Sequence, residues 1–406
     1  MTNASDLKLL LAVVLAAVPA AAQLPEKLAI RPEGAPSGPA SPALLVGNTL
    51  YCSGKTGIEP GAARPATFED EARQAFGNVR RLLHAAGMDY GNVVSIYLFL
   101  DDLGNFKATD TLFRSTFAAK PPVRSILGAG RLPGGARIVV QAIAVQDGAP
   151  RELYRLLGDS YLTGAVKVNG IVYTAGIGTR DPWSGERPKT SRLEIRQALA
   201  NLGAVLRPAG VDYRHVAFVN PYLAPKLPRG DLDTVYRQFF EFGNTPARAT
   251  LDLAGIPGGE PIELSAVAVA DLKERKVIRP ISRELSPTAS PAVFAGDALY
   301  FSGFSGFMPG YGTVSADFDV QLRFAMRNIQ DCLESAGLTF ENMVMVNAYL
   351  GNLDDSERMM RLYREYFPKI PPALTVVQQS PTSPSNRPIV QFTGIAIRSV
   401  TMRGIR

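Results

Sequence analysis

Hydrophobic positions along the chain change period in a fixed order, and that order recurs three times. In its first occurrence, Asn48 to Gly54 alternates as a strand does. Ala72, Ala75, Phe76, Val79, Leu83 and Ala86 then fall at helical spacing and predict a helix with one apolar face. Thr67, with Asp70 three residues on, is an approximate capping box that opens it, and Gly87 supplies the left-handed residue that ends it. Val93 to Leu100, rich in β-branched and aromatic residues, predicts a buried strand. Phe106, Leu112, Phe113 and Phe117 mark a second helix. Arg124 to Ala129 and Arg137 to Val145, joined through Pro133-Gly134-Gly135, predict two closing strands. The order is β, β, α, β, α, β, β.

Four landmarks carry this order across the chain. A strand ends in a small residue and Gly at Ser53-Gly54, Ala175-Gly176 and Ser302-Gly303, with Gly spacings of 122 (176 − 54) and 127 (303 − 176). A helix stop recurs as Ala86-Gly87, Ala209-Gly210 and Ala336-Gly337, preceded by Asn78, Asn201 and Asn328. A proline-led strand start recurs at Pro122, Pro246 and Pro372. Self-similarity at a fixed period implies one supersecondary unit used three times.

Helices interleaved with strands imply an α/β unit of the two-layer α+β kind, a mixed sheet with helices on one face. The other sheet face is left bare, and three such faces turned inward would bury one another. The copies are therefore predicted to pack as an intramolecular pseudotrimer. The connecting stretches Gln146–Arg151 and Ala270–Val277 are short and not Gly/Ser-rich, which argues against independent beads. The predicted organisation is a leader over 1–22 and repeats over 23–150, 151–272 and 273–406, the last degenerate. Such a chain should be monomeric.

Composition changes this picture little. With 46% hydrophobic and 20% charged residues, the chain of 406 residues is an ordinary globular protein. The net charge of +6 is spread thinly, with no Lys/Arg stripe and interleaved aromatics, so nucleic acid is not an expected partner. Leu7 to Ala22 is apolar but too short to span a bilayer, and it ends Ala20-Ala21-Ala22 before Gln23. That pattern predicts a cleaved secretory signal, hence a periplasmic or secreted protein with no stable membrane insertion after cleavage. Cys52 and Cys332 fall in a strand and in a helix of different repeats, and are expected as buried free thiols. Two cysteines and two histidines, His84 and His215, do not make a usual zinc site, so no metal is expected. The histidines occupy noncorresponding repeat positions, and no nucleophilic triad is visible.

The stretch Pro122-Val123-Arg124-Ser125, leading to Leu132-Pro133-Gly134-Gly135 and Gln141-Ala142-Ile143-Ala144-Val145, resembles the RidA/YjgF family, also called endoribonuclease L-PSP. So do Pro246-Ala247-Arg248, Ile256-Pro257-Gly258-Gly259 and Ile262-Glu263-Leu264-Ser265 in the second copy, and the likeness runs from about residue 40 to 400. The resemblance implies a chorismate-mutase-like fold and a trimeric assembly with a ligand pocket at each interface. It also implies hydrolysis of the imine or enamine of 2-amino acids to 2-keto acids and ammonia, without a cofactor. The partner would be a small carboxylate-bearing imine or keto acid. Endoribonuclease activity finds no support in the charge pattern.

The family's pocket uses an Arg to hold the substrate carboxylate, because a guanidinium fork takes a carboxylate through two parallel hydrogen bonds. A Glu orients or activates water. By resemblance the Arg column holds Arg124, Arg248 and Leu374, and the Glu column holds Val139, Glu263 and Gln391. The second copy alone carries both, so Arg248 and Glu263 are expected to share the main pocket. Glu263 would be catalytic there, Arg248 and Arg124 would bind substrate, and Ser53 and Ser302 would line pockets. Asp110 and Asp233, in one helix column, read as a solvated helix face. Asn220 and Asn347 match across copies, with Tyr97 in their place in the first. The alternatives are a non-catalytic carboxylate-binding protein and a purely structural pseudotrimer.

Overall fold

The chain forms three similar mixed sheets, each backed by two helices, in a computed structural model that describes residues 26–33, 38–148, 150–308, 312–313, 315–380, 389–398 and 401–402. The leader read at residues 1–22 lies outside the described residues.

In the first copy, the strand order is Glu26–Ile30, Ala43–Val46, Thr49–Cys52, Ile138–Val145, Val93–Leu100, Val123–Gly128. Neighbours are antiparallel except the last two, which run parallel because helix Phe106–Thr116 carries the chain between them. The second and third copies repeat this order over residues 151–269 and 275–397. The strand register of the third matches the first, with Met345 to Leu350 beside Ala373 to Gln378.

The helices form where the pattern places them. Thr67 caps Phe68–Ala85 by accepting from the Asp70 N–H at 3.1 Å, and the six apolar positions from Ala72 to Ala86 are buried. Gly87, Gly210 and Gly337 all have φ near +70°, the left-handed conformation a helix stop needs. Asn78, Asn201 and Asn328 are half-buried or buried and reach back to loop carbonyls. Asn78 donates to Thr56 O, Asn201 to Gly178 O and Arg180 O, and Asn328 to Ser305 O and Phe307 O. They pin the loop that follows the strand-ending Gly in each copy.

Each copy has a strand that the periodicity does not show. Arg151–Arg155 and Arg275–Ile278, within or directly after the connecting stretches, are the first strands of the second and third sheets. They lie at sheet edges, half-buried, and their charged sequences carry no apolar alternation. Each begins with a cation that crosses to the preceding copy. Arg151 donates to Gly91 O and Lys120 O, and Arg275 to Val216 O and Asn244 O. Lys27 completes the ring: its buried ammonium donates to Glu341 O, Met343 O and Ile370 O of the third copy. These cations sit 124 residues apart (151 − 27 and 275 − 151), a signal present in the sequence.

The three copies close on one another. The Gly176 N–H donates to Arg124 O at 3.0 Å, Gly303 to Arg248 O at 3.1 Å, and Gly54 to Leu374 O at 3.2 Å, one bond per interface in cyclic order. Thr401–Met402 also pairs in parallel with Glu26–Lys27, so the last strand joins the first sheet. The helix-free faces meet on the pseudo-threefold axis, around a cavity of about 50 Å³ that all three copies line. Tyr97, Asn220 and Asn347 face it. The Tyr97 hydroxyl lies 3.2 Å from Ser265 Oγ, and Gln141 Nε2 donates to Asn347 Oδ1 at 2.5 Å. This matched column is thus a polar seal at the axis. Cys52 and Cys332 are buried free thiols, and burial pushes both up to about 12.

Candidate active site

Clefts open where the closing strand of one copy meets the Gly-ended strand of the next. Their volumes are about 650 Å³ between the second and third copies and 740 Å³ between the third and first, and a cleft of about 410 Å³ beside Glu263 is lined by residues of the second copy.

The expected pairing of Arg248 with Glu263 is not what the fold builds. Only the two-residue strand Leu251–Asp252 and a turn separate their strands in sequence, yet in the sheet strand Val216–Leu223 lies between them. Arg248 sits beside Val219 and Glu263 beside Tyr222. Two strand spacings and three residues of rise put their α-carbons roughly 14 Å apart. An odd offset along the middle strand also sends the two side chains to opposite faces of the sheet. Arg248 lies on the helix side, 2.8 Å from Asp233 and over the Tyr236 ring, while Glu263 lies on the face that meets the first copy.

Each Arg-column residue instead lies at the interface with the copy that carries the next Glu-column residue. Arg248 shares a cleft with Gln391, and Leu374 shares one with Val139. Arg124 is the Arg-column residue whose charge acts on Glu263. The Gly176 N–H that bonds Arg124 O is also the point over which Glu263 folds: a Cβ at Gly176 would lie 1.6 Å from Glu263 Oε1. A similar close approach recurs for a Cβ at Gly303, 2.6 Å from Gln391, and at Gly54, 2.8 Å from both Val139 and Thr375. The strand-ending Gly is thus required for close approach of the Glu-column side chain.

Arg124 and Glu263 both carry unanswered polar atoms. Arg124 Nη2 meets Asp110 Oδ1 at 2.5 Å, and the guanidinium stacks over Phe113 at 4.5 Å, but Nη1 is buried without a partner. Glu263 Oε1 is likewise buried and unpartnered, although the residue as a whole is half-buried and lines the 410 Å³ cleft. Burial pushes the Glu263 carboxyl up to about 8. Nearby Ser125 and Arg124 oppose the rise, and the second carboxylate of Glu260 adds to it. Glu260 itself is engaged, accepting from the Thr179 N–H and hydroxyl and meeting Arg180 at 3.1 Å.

Several roles read from the sequence change. Asp110 and Asp233 do more than present a solvated face: each pairs with an Arg-column guanidinium, Asp233 while remaining half-exposed, and Asp110 also meets Arg114 at 2.9 Å. A period-matched column that falls on a helix surface gave no hint that the sheet edge lay beneath it. Ser53 and Ser302 line clefts, but their hydroxyls are structural ties. Each donates to a carbonyl of its own copy, Ser41 O or Ser290 O, and accepts the N–H of Leu374 or Arg248 across the interface. Ser125 and Glu260, which neighbour Arg124 and the Pro-Gly-Gly turn in sequence, belong to the Glu263 environment, and no period or motif marks them.

Three two-layer α/β units in a closed pseudotrimer, with an arginine and an acid meeting across an interface, define the class of protein. The family described as Endoribonuclease L-PSP matches residues 31–146, 158–270 and 284–385, and the chain belongs to this RidA/YjgF family. The 2-iminobutanoate/2-iminopropanoate deaminase of Capra hircus is 38% identical over 111 residues, 27% of this chain and 81% of that protein. The Homo sapiens protein of the same description is 35% identical over 111 residues, with the same shares covered. A chorismatase crystal structure superposes with a TM-score of 0.52 at 13% identity, over 75% of this chain and 93% of its own. That likeness concerns the fold, and it spans more than one copy.

Proposed function

We propose that the Glu263 cleft of the second copy, with Arg124 of the first copy at its interface, hydrolyses 2-imino acids, or the enamines in equilibrium with them, to 2-keto acids and ammonia. The observation that carries this reading is the pair of buried, unpartnered atoms there, Arg124 Nη1 and Glu263 Oε1. A guanidinium held by Asp110 keeps a free donor for a substrate carboxylate. Glu263, with its carboxyl raised to about 8, stays protonated at neutral pH and is suited to act as a general acid.

In the proposed reaction, Glu263 gives its proton to the imine nitrogen as water adds to the carbon, and takes a proton back from that water. The resulting carbinolamine then breaks its C–N bond. Glu263 again protonates the nitrogen, ammonia leaves, and the hydroxyl proton returns to Glu263 as the carbonyl forms. Relatives described as 2-iminobutanoate/2-iminopropanoate deaminases support this substrate class. The other two clefts pair Arg248 with Gln391 and Leu374 with Val139, and neither pair offers an ionisable acid.

The test is ammonia release from a freshly generated 2-imino acid. Arg124→Ala removes a charge-assisted anchor, which costs about 1.5–3 kcal/mol, so kcat/KM should fall roughly ten- to a hundredfold. Glu263→Gln should lower kcat more than KM. Arg124→Ala matching the wild type would overturn the assignment, as would a wild type that binds 2-keto acids without turnover.

A further inference from the structure

The cleft between the second and third copies differs in kind from its neighbours. It gathers three guanidinium groups, Arg229, Arg248 and Arg283, against one carboxylate among its lining residues, Glu284. Arg229 is tied to Asp252 and Arg248 to Asp233. Arg283 Nε and Nη2 are buried with no partner among the described residues, and the guanidinium lies over the Phe304 ring at 4.8 Å. Thr250 Oγ1, contributed by the second copy, is also buried and unpartnered in this cleft. The loop after the first strand supplies Leu156, Leu157 and Leu162 to the Glu263 cleft, whereas here the corresponding loop of the third copy supplies Arg283.

Unpaired guanidinium donors are costly to bury unless an anion meets them. A planar fork takes a carboxylate through two parallel bonds; Arg283 of the third copy offers such a fork here, and Arg248 of the second copy faces the same cleft with its Nη1 shared with Asp233. Gln391 stands where the neighbouring cleft has Glu263, and its amide donates to Thr250 O at 3.3 Å. An amide neither gives a proton to a leaving nitrogen nor takes one from water. We infer that this cleft binds a small dicarboxylate between Arg248 and Arg283, across the interface, and releases it unchanged.

Calorimetry on the full chain with succinate, propionate and inorganic phosphate tests this. Succinate should bind at least about tenfold tighter than propionate, since the second anchor is a charge-assisted contact. Arg283→Gln keeps a stem over Phe304 and should weaken succinate about ten- to a hundredfold, removing the preference. Arg248→Gln should do the same from the other side of the interface, so a folding defect in one variant does not decide the matter. The preference must persist in Arg124→Gln, which separates this cleft from the proposed hydrolytic one. Succinate should be recovered intact by NMR. Equal affinity for succinate and propionate overturns the inference, as does tighter binding of phosphate. So does a preference that survives both Arg283→Gln and Arg248→Gln.

Discussion

Replacing Glu263 by Gln should stabilise the protein at alkaline pH and leave it nearly unchanged at pH 5. The carboxyl is buried beside Glu260 and Ser125, and its pKa stands at about 8 against an ordinary 4.5. Between those values the unfolded chain has released the proton and the folded chain holds it. Stability therefore falls as pH rises through this window, is fully present below about 4.5, and is lost by the time pH passes 8. Each pH unit is worth 1.36 kcal/mol, so the full window costs the wild type about 4–5 kcal/mol. Glutamine has the same shape and no charge to bury, so it escapes this loss. Urea unfolding of both proteins at pH 5, 7 and 9 reads the effect through the midpoints at constant slope. The variant should exceed the wild type by several kcal/mol at pH 9, with the gap closing toward pH 5. A gap that does not change with pH, or a wild type that is the more stable at pH 9, refutes the buried, protonated carboxyl. The same proton governs catalysis: wild-type kcat/KM should fall above about pH 8, and that limb should vanish in Glu263→Gln.

Other outcomes follow from the same geometry. Gly176→Ala places a Cβ 1.6 Å from Glu263 Oε1, so the carboxylate must leave its site, and imine hydrolysis should drop at least about tenfold with the fold retained by circular dichroism. Cys52 and Cys332, buried with thiols pushed up to about 12, should resist a thiol reagent at pH 8 and react together on unfolding. Light scattering should give the mass of one chain, since the three copies satisfy one another's edges, and N-terminal sequencing of protein from its native host should begin at Gln23. A trimer of chains overturns the first of these, and an intact Met1 form the second.

The repeat, the helices and most strands were legible in the sequence because each follows from local periodicity and local stops. Val93–Leu100 appears as read, the apolar positions of helix Phe68–Ala85 are buried, and the three helix-stop glycines have φ near +70°. The closed pseudotrimer was legible too, since a sheet with helices on one face must bury the other. The charged edge strands were not, because Arg151–Arg155 carries no apolar alternation and takes its place by pairing with Thr163–Val168.

The site divides the same way. Sequence alone supplied the columns Arg124, Arg248 and Leu374, and Val139, Glu263 and Gln391, since a column needs only register between copies. It could not say which members meet. Adjacency in sequence suggested Arg248 with Glu263, but a middle strand separates them, and the odd offset along that strand turns their side chains to opposite faces. Closure of the ring instead carries each arginine column to the next copy, so Arg124 meets Glu263 across an interface that no local pattern encodes. What a residue is follows from the chain, whereas what it faces follows from how three sheets close around one axis.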